Sequence, residues 1–126
     1  MRPSGSALLI AALISVAVAL PSSTAVAAPS AHAAGSCNIR GVERKLGPTY
    51  VTSLRASGAS CSSAKRLVKA FHACRKRNGG KKGYCRSSVN GYRCSEKRGG
   101  IATEITGKVT CRKGSATVIH TYTQFI

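Results

Sequence analysis

His72 and His120 are the side chains here best suited to proton transfer. Two imidazoles among lysines can act as an acid–base pair on a phosphodiester. One ring takes a proton from the attacking hydroxyl and the other supplies one to the leaving oxygen. The competing reading places both in the core. His72 falls at the margin of a helical stripe, and His120 lies on a strand between apolar neighbours. Other catalytic signals are poor. The acids are Glu43, Glu96 and Glu104, with no aspartate, and they form no carboxylate pair at a recognisable spacing. There is no phosphate loop and no Gly-x-Ser-x-Gly elbow. Catalysis is therefore not expected, and no cofactor is called for.

Charge is the stronger signal. The chain carries 20 Lys and Arg against 3 acids, a net +17. Between Lys65 and Arg98 there are 12 bases and one acid. Such a field attracts phosphate- or carboxylate-rich polymers in a salt-dependent way. Candidate partners are nucleic acid, anionic wall polymers and anionic lipid surfaces. These 12 bases come from the helix ridge, the loop and the hairpin and are expected to share one side; those expected to carry the binding are Lys65, Lys69, Arg75, Lys76, Arg77, Lys81, Lys82 and Arg86. Tyr84 and Tyr92 lie among these bases, where an aromatic ring can stack on a single strand; packing on the sheet is the plainer role for Tyr92. Other readings are a small nuclease using the histidines, a cationic toxin acting on membranes, and a protease inhibitor presenting the 74–85 loop. The plainest is charge that only keeps the protein soluble.

One helix organises the elements that carry these residues. Ser60 is a suitable N-cap. At about 100° per residue, Ala64, Leu67, Val68, Phe71 and Cys74 share one face, with Cys61 at its edge. Lys65, Lys69 and Lys76 point the other way. Arg75, Lys76 and Arg77 suit the negative end of the helix dipole, and Asn78-Gly79-Gly80 supplies the stop. This apolar face is a core face, which leaves no amphipathic segment free to enter a bilayer.

Residues 1–27 have the form of a secretory signal. A basic Met1-Arg2 start precedes an apolar run over Ala7–Leu20 and small residues at Ala25-Val26-Ala27. An alternative cut follows Ala33. The run is too short to span a bilayer. No later stretch is long enough either, so a secreted or surface-associated monomer without a membrane anchor is expected. Residues 28–48 form an arm, and 49–126 the main domain. All six cysteines, Cys37, Cys61, Cys74, Cys85, Cys94 and Cys111, follow the leader. An even count in a short exported chain implies disulfides. The absence of any Cys-x2-Cys pair argues against zinc, and no metal site is expected.

Tyr50–Ala56 is predicted as a strand with Tyr50, Thr52 and Leu54 on one side. Ile101–Cys111 alternates as a half-buried strand, with Ile101, Thr103, Ile105, Val109 and Cys111 inward. Gly99-Gly100 is the expected hairpin turn. It sets Cys94 opposite Ile105, and Tyr92 opposite Gly107 across the space that glycine leaves. A turn at Arg112–Ser115 leads to a last strand, Ala116–Gln124. If that turn is even in length, Val118 lies opposite Val109 and His120 opposite Gly107. A three-residue turn would bring Ile119 inward instead. The resulting class is α+β: strand, helix and three-stranded meander, one helix on a small antiparallel sheet, stapled by disulfides. Six cysteines allow 15 pairings. The set chosen is Cys74–Cys85, Cys61–Cys94 and Cys37–Cys111.

The run Arg55-Ala-Ser-Gly-Ala-Ser-Cys61-Ser-Ser-Ala-Lys-Arg-Leu-Val-Lys-Ala70, with Gly91-Tyr-Arg-Cys94 and Cys111-Arg-Lys-Gly114, resembles small exported cysteine-containing proteins of actinobacteria. The likeness spans about residues 50–123. It departs in the extra pair Cys74 and Cys85 around a basic loop. It implies secretion and a shared fold, and brings no catalytic residue.

Overall fold

The computed structural model describes residues 34–126. The expected signal peptide and the start of the expected arm lie outside the described residues. In chain order the elements are β1 (Gly35–Ser36), β2 (Tyr50–Ser57), α1 (Cys61–Arg77), β3 (Arg93–Ile101), β4 (Glu104–Lys113) and β5 (Ala116–Phe125), with short 3-10 turns at Glu43–Lys45 and Gly80–Lys82. The sheet is antiparallel, in the order β1-β2-β5-β4-β3. The α+β class stands, with one helix on one face of the sheet and three disulfides. The arm adds a short fifth strand to those expected.

The helix begins and ends where its residues require. Ser60 accepts from the Ser63 N–H at 3.1 Å. At the other end Asn78 N–H bonds the carbonyls of Cys74 and Arg75, and Gly79 and Gly80 both have positive φ. Ala64, Leu67, Val68, Phe71 and Cys74 are all buried, as their spacing predicts. They meet Val51, Leu54, Ala56, Val109, Cys111, Val118 and Tyr122 from the sheet's inner face.

Three strand details are corrected. In β2 the register breaks between Val51 and Ser53, so Val51, Leu54 and Ala56 face the core, and Leu54 does not share a side with Tyr50 and Thr52. A bulge changes the parity of the alternation on either side of it. In the β3–β4 hairpin Ile101 pairs with Glu104, so the turn is Ala102-Thr103 and Gly99-Gly100 lies inside β3. Ile101 is then 71% exposed at the tip. Gly100 is required for another reason: its φ is +122°, and a Cβ there would strike the Glu104 backbone. The β4–β5 turn is even, as one expectation had it, but only two residues long. Val109 therefore faces His120, and Gly107 faces Tyr122. Tyr122, not Tyr92, fills the space over Gly107, where a Cβ would fall 2.6 Å from the ring's Cζ.

The hairpin register also resets the disulfides. Cys94 and Cys111 are directly opposed and bonded, which frees Cys37 to bond Cys61. The pairings Cys61–Cys94 and Cys37–Cys111 are thus wrong, whereas Cys74–Cys85 is present. Cys37–Cys61 ties the arm to the start of α1, and Cys74–Cys85 ties its end to the basic loop.

Candidate functional site

The basic loop is held by a buried polar cluster that the charge pattern alone did not reveal. Arg75, expected on the exposed ridge, is only 2% exposed. Its Nε donates to the Gly83 carbonyl at 3.2 Å and its Nη2 to the Lys81 carbonyl at 2.9 Å. Arg98, on the inner face of β3, donates to the carbonyls of Lys82 (2.8 Å) and Gly83. Two guanidinium groups thus grip three consecutive carbonyls. Gly83 must be glycine for this approach, because a Cβ would run into the Arg75 carbonyl oxygen.

Glu96 is the counter-charge to both arginines. Its Oε1 lies 3.6 Å from Arg75 Nε and 3.1 Å from Arg98 Nε, and it accepts from the Tyr122 hydroxyl. Burial opposes the charge on Arg98, but Glu96 outweighs it and raises the pKa. Burial lowers that of Arg75. The Tyr122 hydroxyl is pushed up, first by burial and then by its bond to Glu96. A signal for the cluster was present in the sequence. Cys94, Glu96 and Arg98 alternate at period two, which sets Glu96 and Arg98 on the core face of Cys94.

The histidines are brought together and enclosed. Their Nε2 atoms are 3.0 Å apart, and the residues are 0% and 1% exposed. Arg75 Nη1 lies 2.7 Å from His72 Nδ1. Arginine has no lone pair to offer, so His72 Nδ1 accepts. The neutral His72 then carries its proton on Nε2 and donates it to His120 Nε2. His120 keeps its proton on Nδ1, which has no partner. Burial is the main cause lowering the His72 pKa to about 2, with the fields of His120 and Arg75 adding to it. His120 falls to about 3, by burial first and then Arg75. Both rings are neutral over the ordinary pH range. Phe71 and Tyr122 pack edge-on against them.

The other expected binding residues lie at the surface. Lys69, Lys76 and Arg77 on α1 are exposed, as are Lys81, Lys82 and Arg86 on the loop; Lys65 is half-exposed. Arg75 belongs underneath them, as a positioning residue for the turn that carries Lys81 and Lys82. The bases do not all share one side. Arg93 and Lys97 project from the face of β3 away from the helix. Tyr84 is 49% exposed, with the Arg98 guanidinium 3.6 Å from its ring centroid, so one face is already occupied. Tyr92 is half-buried, with Lys113 Nζ 5.8 Å from its centroid.

Among the described residues no group of three or more His, Cys, Asp or Glu converges as metal ligands, and no helix is long and apolar enough to cross a membrane. Comparison with protein-family models, curated proteins and solved structures finds no match to this chain. The geometry of the cationic surface, with its one buried acid, is therefore what a functional reading rests on.

Proposed function

We propose that this is a secreted, non-enzymatic cationic protein that binds anionic polymers or surfaces through the helix–loop ridge. The observation that carries this reading is the placement of Glu96. One of the chain's three acids is taken inside, where its single negative charge is shared by two guanidinium groups that shape the basic loop. The outward side chains there, Lys69, Lys76, Arg77, Lys81, Lys82 and Arg86, are left without a competing carboxylate. Disulfides at both ends of α1 hold the ridge, so little order has to be gained on binding. The enclosure of His72 and His120 favours a core role for them over proton transfer. Export is supported by the three disulfides and by the leader-like first residues.

The test uses the oxidised mature protein and a labelled RNA oligonucleotide, with anisotropy and strand integrity followed across a salt series. Binding that weakens steeply with salt on an intact strand is the expected result. A cut strand would replace this reading with the nuclease. No binding at about 0.15 M salt, where the screening length is already about 8 Å, would remove nucleic acid from the partners.

A further inference from the structure

The face of the sheet away from α1 carries a second concentration of charge, and its pattern is unlike the ridge. Side chains alternate across a strand. Arg93, Ser95, Lys97 and Gly99 of β3 therefore project outward with Thr106, Lys108, Thr110 and Arg112 of β4, and Glu104 stands on the same face at the hairpin tip, four residues beyond Lys108. Lys97 is directly opposite Lys108, and Arg93 directly opposite Arg112. All four are exposed, and among the described residues none has a carboxylate within ion-pair distance. Like charges directly opposed on a sheet are destabilising. Two such rungs on one hairpin need a compensating anion more than scattered lysines do.

The rungs are four residues apart on each strand, about 13 Å at the usual rise. Thr110 and Ser95 lie between them. Beside the lysine rung is a shallow depression of about 470 Å³ lined by Thr52, Thr106, Thr121, Lys97 and Lys108. Its floor is hydroxyl-rich, with Thr52 and Ser53 each 2.6 Å from Thr121 Oγ1. Tyr122 also borders the depression but is 1% exposed, so it presents no open ring face among these cations. Tyr50 and Phe125 lie at the far end, packed edge-on against each other with centroids 5.8 Å apart. Single-stranded nucleic acid is held largely by stacking on aromatic rings, and this face offers none between the rungs. It offers pairs of cations for phosphates, and the Ser95 and Thr110 hydroxyls between them for the hydroxyls of a polyol.

We infer that the outer sheet face is a second anion site, which takes a linear polyol-phosphate chain lying along the β3–β4 hairpin, one phosphate at each cation pair. This rests on the polyanion-binding reading and adds a place and a ligand chemistry separate from the ridge. The probes are a synthetic poly(glycerol phosphate) oligomer and an oligothymidylate of equal charge. The face variant is Lys97→Thr/Lys108→Thr/Arg112→Thr, which keeps good strand formers. The ridge variant is Lys65→Gln/Lys69→Gln/Lys76→Gln, which removes the same charge from the helix.

The face variant is expected to lose at least about tenfold in affinity for poly(glycerol phosphate), and two to three units of salt slope at about one per phosphate-contacting cation. The ridge variant should lose less than about threefold. The face variant should also melt no lower than wild type, since two like-charge contacts are relieved. Loss in the ridge variant alone would overturn the sheet-face site and leave the ridge reading intact. Equal loss in both would mean net charge only, and would overturn the site. A face-dependent preference for oligothymidylate would overturn the polyol-phosphate assignment. Failure of wild type to bind either probe would overturn both readings together.

Discussion

Removing the Glu96 carboxylate isolates what the buried cluster contributes. In Glu96→Ala, Arg75 stays buried and keeps its bonds to His72, Lys81 and Gly83, but loses its carboxylate 3.6 Å away. At an effective dielectric of about 20 that contact has a Coulomb energy of about 4–5 kcal/mol. Breaking one side of a buried pair typically costs about 3–5 kcal/mol. Tyr122, 1% exposed, also loses the acceptor for its hydroxyl. We expect about 4 kcal/mol of destabilisation for Glu96→Ala. Glu96→Gln should cost about 2 kcal/mol, because its amide oxygen still accepts from Tyr122, at the strength of a neutral hydrogen bond. These are large fractions of a stability of about 5–15 kcal/mol. The assay is urea unfolding with disulfides intact, paired with amide exchange over residues 80–83, which should quicken as the arginine grip loosens. An Arg98→Met cycle should show a coupling of about 1–3 kcal/mol with Glu96. A Glu96→Ala protein within about 1 kcal/mol of wild type, with an unchanged denaturant slope, would refute the claim that Glu96 holds the loop through the two arginines.

Acid should act through the histidines. Both are lowered in the folded state, to about 2 and about 3, so the unfolded chain binds more protons below about pH 6.5. Their contribution is fully present above that pH and is lost as pH falls toward the folded values. Between about pH 6 and 5 stability should fall by up to about 2.7 kcal/mol per unit, or about 1.4 for each ring. His120→Gln, whose carbonyl can accept from His72, should halve the slope, and a flat profile would show that the pair is not closed. Gly107→Ala should cost about 3 kcal/mol or more by overpacking against the Tyr122 ring; Tyr122→Ala in the same chain should relieve the clash, seen as non-additive unfolding energies. Peptide mapping should recover Cys37–Cys61, Cys74–Cys85 and Cys94–Cys111. Removing both cysteines of the Cys74–Cys85 bridge should cost about 3 kcal/mol in the chain-entropy view of a loop this short.

Much of the frame is local chemistry and could be read from the chain. The helix depends on contacts within a few residues: the Ser60 cap, the 3.6-residue spacing of Ala64 to Cys74 and the Asn78-Gly-Gly stop. The strand alternation in 104–111 is similarly local, as is the short Cys74–Cys85 closure. Register is not local. Gly99-Gly100 marks backbone freedom, and the same glycines serve a turn or a positive φ inside a strand. Only the pairing of Ile101 with Glu104 decides between them. That choice moved Cys94 from Ile105 to Cys111 and so reassigned two disulfides. Moving the next turn to Gly114-Ser115 put Tyr122 over Gly107. The bulge in β2 likewise arises from pairing with β5 across 60 and more residues.

Charge divides in the same way. Residue types alone make the protein strongly basic, with its cations concentrated after residue 64. Which of those cations can be held inside depends on the partners that packing brings to them. Helical spacing separates Arg75 from Lys76: four residues after Phe71 and seven after Val68, Arg75 falls on the apolar stripe. It is buried because β3 presents Glu96, and because the 80–83 turn folds back to offer its carbonyls. A side chain's solvation depends on what the rest of the chain brings to it, whereas its charge and its place on a helix do not.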